Sequence, residues 1–226
     1  MKRTWIKAVG ILMAVAMVLP LSSCGKNNKD GEAETTTEAV MTTTSATSGG
    51  VMRTGSEGLS FSVSGNGECT LTGLGSCTDT AVSIPATDEN GNPVTAIAAG
   101  AFRSTRVSAV EIPETVSQIA DGAFAGCTKL SYISVSLHNE DFRSVDGVLY
   151  DAGMTTLICY PGARADGTLT IPSSVTVIAP YAFSDCKTLK TVEFAGSSEE
   201  WEDVDVGDDN AILTNAKVSY AKEDGK

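Results

Sequence analysis

Residues Ile112–Leu130 read IPETVSQIADGAFAGCTKL, and 59 residues further on Ile171–Leu189 read IPSSVTVIAPYAFSDCKTL. The echo keeps Ile-Pro, Val-x-x-Ile, Ala-Phe, Cys and a final Leu at the same offsets. A repeat with its register intact restricts the chain to folds made by stacking one unit, because a unit of this size cannot bury its apolar face alone. The alternating runs AVSIP, VSAVEIP and TLTIP each lead into Ile-Pro, at 84–85, 112–113 and 171–172. Period-two alternation in β-branched residues predicts short half-buried strands. Proline brings no N–H to a ladder and ends each of them. Two more strands are predicted without proline, at Leu130–Val135 and Leu189–Phe194.

Counting from the last inward residue of each strand (Ile84, Ile112, Val135, Ile171 and Phe194), the steps are 28, 23, 36 and 23 residues. The unit is therefore about 23 residues, within the 20–29 range of leucine-rich repeats. The step of 28 holds a polar loop, Thr87–Asn92, with Asn-Gly turn chemistry. The step of 36 holds an insertion at 137–166, read as a β-hairpin of Val148–Tyr150 against Leu157–Tyr160 around Gly153. Val218-Ser219-Tyr220 is a candidate sixth strand, 24 residues beyond Phe194 if Val218 is its match.

Each repeated residue has a physical task. Inward residues of successive strands stack, so Ile112, Val135, Ile171 and Phe194 are expected to share one hydrophobic column. Val94-x-x-Ile97, Val116-x-x-Ile119 and Val175-x-x-Ile178 supply the opposite wall. Ala-Phe at 101–102, 123–124 and 182–183 puts a small residue where the chain passes close, and rings that can stack as a spine. Cys127 and Cys186 follow as small buried hydrophobes, where the first unit has Thr105.

The pattern IPxSVTxIAxxAFxxCxxLxxV resembles the BspA-like leucine-rich repeats of bacterial surface proteins, over about Val82–Phe194. The resemblance implies a leucine-rich-repeat solenoid, the right-handed α/β superfold in a β-rich form. Parallel strands would line the concave side, with short strands and single helical turns opposite and one inserted hairpin. It places a leading cap at 59–80, repeats at 81–196 and an acidic exit cap at 197–226. It also implies surface-exposed binding of proteins, in some members host matrix or cell-surface components.

The ends of the chain fit export. MKRTWIK is a basic start, and the fourteen apolar residues Ala8–Leu21 are too few to span a bilayer well but suit a secretory signal, residues 1–23. Leu21-Ser22-Ser23-Cys24-Gly25 resembles the lipobox of bacterial lipoproteins, which implies lipidation of Cys24 and anchoring at the bacterial cell surface. Ordinary cleavage near Ser23 with release is the alternative. Acyl chains contribute ~0.8 kcal/mol per buried methylene, so two or more hold firmly. Residues 24–58 hold seven Thr between Thr35 and Thr47 and little to bury, so a disordered tether is expected. As a flexible coil it would span on the order of 30 Å.

Charge limits the partners. The formal charge of −12 becomes −15 when the three bases Lys2, Arg3 and Lys7 leave with the signal. Seven acids and no base lie within Glu199–Asp209. So acidic a module repels phosphate backbones, and no nucleic-acid partner is expected. DVDVGDDN offers oxygen ligands of the kind Ca²⁺ takes, but Thr214 stands where a 12-residue calcium loop needs Glu. A solvated acidic cap is the better reading, with Trp201 packed over the apolar end, and no metal or other cofactor is expected.

Catalytic chemistry has little support. His138 is the one histidine and sits in a loop; no G-x-S-x-G, H-E-x-x-H or phosphate-cradling Gly loop occurs. Beyond Cys24 the cysteines are 69, 77, 127, 159 and 186, without a C-x-x-C. Cys69 and Cys77 flank TLTGLGS and could staple a hairpin; export permits a disulfide without demanding one. A partner is expected on the concave face, at Ser83, Ala109, Glu111, Tyr132, Ser134, Thr170, Thr191 and Glu193, with Tyr132 its one aromatic anchor. The loops and hairpin, or no dedicated face at all, are the alternatives. The expectation is a non-catalytic monomeric adhesion or interaction module for an extracellular or host protein. A glycan- or nutrient-capturing lipoprotein and a structural envelope component are the alternatives.

Overall fold

The structure is a computed structural model, and the residues it describes are 55–104 and 106–221. The predicted signal, Cys24, the tether before Gly55 and Thr105 lie outside them. In chain order the elements are β1 (Ser60–Val63), β2 (Cys69–Gly73), β3 (Ala81–Ser83), β4 (Val94–Ile97), β5 (Ala109–Ile112), β6 (Gln118–Ile119) and β7 (Tyr132–Val135). The insertion contributes β8 (Phe142–Val145), β9 (Val148–Asp151) and β10 (Thr156–Cys159). Then come β11 (Thr168–Ile171), β12 (Val177–Ile178), β13 (Thr191–Phe194), α1 (Ser198–Glu202), β14 (Asp205–Val206), α2 (Ile212–Asn215) and β15 (Lys217–Tyr220).

These strands wind into a leucine-rich-repeat solenoid of about 6 turns. Its front, the side predicted to be concave, carries two parallel sheets, β3-β5-β7 and β11-β13-β15. Its back carries β1-β2-β4-β6 and β14-β12-β10-β9-β8. In the front register Val82, Val110 and Ile133 are partners, as are Leu169, Val192 and Val218. All but the half-buried Val218 are buried. On the back, Val94, Ile97, Val116, Val175 and Ile178 are buried as the wall requires, and Ile119 is half-buried. The sixth front strand forms, but Val218 partners Val192 and Tyr220 partners Phe194, so the last step is 26 residues, not 24.

The expected single column does not form. Ile112 lies in one core with Val135 packed against it, while Ile171 and Phe194 lie in a second. The insertion divides them. Its hairpin pairs β9 with β10 as expected, through Leu157 opposite Tyr150 and Cys159 opposite Leu149. An added strand, β8, pairs with β9. The β8–β9 turn takes the free edge of β7: Gly147 O accepts from Ile133 N–H at 3.1 Å, and Ser144 Oγ donates to Ile133 O. The edge β11 would have needed is thereby occupied. Successive β9 side chains point to opposite faces, so Leu149 enters the first core while Val148 and Tyr150 enter the second. A strand covered on both faces reads as a continuous apolar run, and Val-Leu-Tyr is one. β10 also pairs in parallel with β12 and thus serves as the back strand of the fourth coil.

The spine divides in the same place. Phe102 and Phe124 stack at 5.2 Å, and Tyr160 stacks on Phe183 at 5.3 Å. Tyr160 holds the spine position because its N–H bonds Ala182 O, as Phe102 N–H bonds Ala123 O. At the C-terminal end, α1 starts with a capping box of Ser197 and Glu200, and half-buried Trp201 tilts against Phe194 at 5.2 Å. The acidic segment expected to close the stack adds a coil instead, since β14 pairs with β12 and β15 with β13. Cys69, Cys77, Cys127, Cys159 and Cys186 are all free and buried, so the Cys69–Cys77 staple is absent.

Candidate protein-interaction face

The residues expected on the concave face fall on two sheets rather than one. On the first, Ser83, Glu111 and Ser134 are successive partners, and Ala109 partners Tyr132. On the second, Thr170 partners Glu193, and Thr191 lies two residues before Glu193 on the same strand. Glu111, Tyr132, Thr170 and Glu193 are exposed, while Ser83, Ala109, Ser134 and Thr191 are half-buried. Thr170 Oγ1 donates to Glu193 Oε2 at 3.2 Å, and Ser134 Oγ reaches Val110 O at 3.4 Å. The exposed charges among these residues are thus two carboxylates, Glu111 on the first sheet and Glu193, which accepts from Thr170, on the second.

Tyr132 is the most exposed large side chain of the front strands, at 51%, and Tyr220 on β15 follows at 39%. Its ring lies on the backbone of Gly147: a Cβ there would stand 2.5 Å from Tyr132 Cδ2. Asp146 and Gly147 both have positive φ, 50° and 79°, as an Asp-Gly hairpin turn of type I′ requires. Arg164 fixes this turn by donating to Asp146 O while pairing with the Asp166 carboxylate and lying 5.6 Å over the Tyr160 ring. Val145, 44% exposed, extends the apolar surface beside the turn. Neither the Gly147 seat nor Val145 was expected from the sequence. The signal was the Val-Asp-Gly-Val motif at 145–148, a strong hairpin turn that would have revealed β8.

The profile of the BspA type leucine rich repeat region matches this chain in six copies, over residues 89–145 and 166–204. Over those residues the chain carries repeats of the BspA type. The interval left unmatched, 146–165, is where β9 and β10 interrupt the BspA-type pattern. No curated protein sequence matches the chain. Among solved structures, the pneumococcal vaccine antigen PcpA is 24% identical with a TM-score of 0.48, over 57% of this chain and 31% of its own. A leucine rich cell surface protein from Faecalibacterium prausnitzii is 33% identical with a TM-score of 0.43, over 50% of this chain and 29% of its own. The leucine rich repeat protein of T. pallidum is 21% identical with a TM-score of 0.42, over 66% and 79%. The chain thus spans less than a third of the length of the first two. BspA-type repeat proteins are cell-surface proteins, and the family points to a protein-interaction module. No helix among the described residues is long and apolar enough to cross a membrane.

The displaced acidities of this leucine-rich-repeat solenoid belong to its framework. Burial pushes the Cys127 thiol up to about 12, and its Sγ bonds Phe102 O at 2.7 Å. Burial likewise raises the Tyr150 and Tyr160 phenols to about 12. Thiols so raised stay protonated and are poor nucleophiles. Asp88 moves the other way: the Asn92 side-chain amide, then the Asn92 and Asn90 N–H groups, hold its carboxyl far below the usual range and shape the Thr87–Asn92 loop. Two depressions border Tyr181 where coil three meets coils four and five, and neither has room for more than a water molecule. Among the described residues no group of three His, Cys, Asp or Glu could hold a metal ion.

Proposed function

We propose that this chain is a non-catalytic adhesion or interaction module, held at the bacterial surface by lipid on Cys24, that binds an extracellular or host protein through its front face. The observation that carries the reading is Tyr132, half exposed with its ring laid against Gly147 and in register with Ala109. A rigid, amphipathic ring on a sheet is the kind of anchor that dominates protein interfaces, since little rotamer freedom remains to be lost on binding. Glu111 on the same sheet and Glu193 on the second front sheet favour a partner that is basic where it docks. The residues proposed to touch it are Ser83, Ala109, Glu111, Ser134, Thr170, Thr191 and Glu193 around that anchor. A monomer suffices for this mode.

The test is to present the full chain to host-matrix proteins and to glycans side by side, then repeat with Tyr132→Ala and Glu111→Lys. Retention of a protein that both substitutions weaken about tenfold or more supports the reading. Retention of glycans alone, or protein binding indifferent to both substitutions, counts against it.

A further inference from the structure

We propose that the lip of the front face, where its strands begin, binds a linear anionic polysaccharide carrying sulfate or carboxylate groups, at a site separate from the Tyr132 surface. Between residues 55 and 221 every Lys and Arg except Arg143 and Lys217 lies in the stretch from a spine ring to the next front strand, and Lys217 is the first residue of the last front strand. The carboxylates are spread elsewhere too, over the front strands, the corners behind them and the exit segment. Bases are scarce in this chain, and one edge collects them.

Hydrogen bonds show which of them are neighbours. Ser131 N–H bonds Ser108 O at 2.9 Å, and Lys129 and Arg106 each stand two residues before those serines. Lys190 N–H bonds Gly167 O at 2.7 Å, which sets Lys187 level with Arg164 on the adjacent coil. Lys217 N–H bonds Lys190 O at 2.8 Å, so those two are adjacent outright. Neighbouring coils are about 4.8 Å apart. Like charges facing each other across such a step destabilise the free protein. Arg164 is matched by Asp166, and among the described residues no other ion pair relieves the lip. A chain of anions laid along it would.

The lip's remaining groups suit a polysaccharide. Ser108, Ser131 and Thr188 lie between the cations, and each hydroxyl donates to a carbonyl of the preceding coil: Thr80, Ser108 and Arg164 respectively. Their lone pairs remain to accept from sugar hydroxyls. Val107, Leu130 and Leu189 are buried, so the lip itself lacks the apolar centre of a protein interface. Cations recurring coil by coil match a polymer with regularly repeated anions. At physiological ionic strength the Debye length is about 8 Å, so the carboxylates of distant faces are screened from a ligand held here.

The test uses the full chain and a fluorescent heparin oligosaccharide, read by anisotropy at low and at physiological salt. Binding should weaken with salt and fall about tenfold or more in Arg106→Glu/Lys129→Glu and in Lys187→Glu/Lys190→Glu/Lys217→Glu. Arg143→Glu should leave it unchanged, and circular dichroism should show each variant folded. The lip variants should keep any binding that depends on Tyr132, so this site and the proposed function can fail independently. No heparin binding by the unaltered chain, or an equal loss in Arg143→Glu, overturns the proposal. Polyglutamate bound as tightly as heparin overturns it as well, by marking an acidic protein as the occupant.

Discussion

Asn210 shows how one side chain can close a solenoid. Wherever a coil has a regular neighbour, the N–H of the spine ring bonds that neighbour's backbone, as Phe102 does to Ala123 and Tyr160 to Ala182. The last spine ring has no such partner, and Asn210 Oδ1 accepts Phe183 N–H at 2.9 Å instead. The same amide donates to Ala179 O and Gly207 O at 2.9 and 2.8 Å. Asn139 plays a related part at the insertion: it donates to Pro113 O and Val116 O, and accepts from Asp141 and Phe142 N–H. Asn210→Ala should strip partners from buried backbone groups at ~1–3 kcal/mol each, for a loss of ~2–4 kcal/mol in urea unfolding. A loss under ~0.5 kcal/mol would mean that water replaces the amide. Nothing in the composition of GDDNAI marks this residue, because a capping Asn and a solvated one read alike. Backbone conformation does mark it. Asp209, at φ 61°, holds the left-handed place taken by Gly100, Gly122 and Tyr181 at 66°, 68° and 63°, so Asp209-Asn210 stands where earlier coils have Gly-Ala. Tyr181 is the costly occupant of that place, and its ring lies against Gly122, where a Cβ would come within 3.2 Å of Cδ2.

At the scale of elements, the strands flanked by Ile-Pro were legible because their signal is local: alternation, a β-branched core and a proline stop. The hairpin was legible only in part. Val148–Tyr150 and Leu157–Tyr160 pair as read, but FRSV by itself carries too few apolar residues to announce β8, which only the Asp-Gly turn after it marks. The buried run Val148-Leu149-Tyr150 argued against a surface loop, since three successive apolar residues need cover on both faces. The same hairpin seats Tyr132, which makes its geometry testable by a double-mutant cycle. Gly147→Ala forces φ 79° on a residue with a Cβ and drives that carbon into the Tyr132 ring. The conformational part should cost ~1–2 kcal/mol by itself. In a Tyr132→Ala background the clash vanishes, so the cost should shrink by ~1 kcal/mol, well above the limit of simple additivity. Additive losses in denaturant melts would show that the ring does not rest on the turn.

For the molecule as a whole, the repeats say how each coil is made but not whether the stack is continuous. That is decided by where the side chains of one inserted strand go, and on β9 they divide: Leu149 into the core of β3, β5 and β7, Val148 into that of β11, β13 and β15. Stability in such arrays is a sum of coil and nearest-neighbour contributions, so two cores joined through one hairpin should open as separable units. Neighbouring residues on one strand then become probes of different halves. Leu149→Ala should speed hydrogen exchange at Val110 and Ile133 more than at Leu169 and Val192, and Val148→Ala should do the reverse. Each leaves a cavity, worth ~2–5 kcal/mol for the leucine, large enough to resolve by mass spectrometry of the corresponding peptides. If both substitutions loosen both sheets equally, the hairpin couples the halves into one cooperative body. The front face would then present its two patches, around Tyr132 and around Glu193, as a single rigid surface.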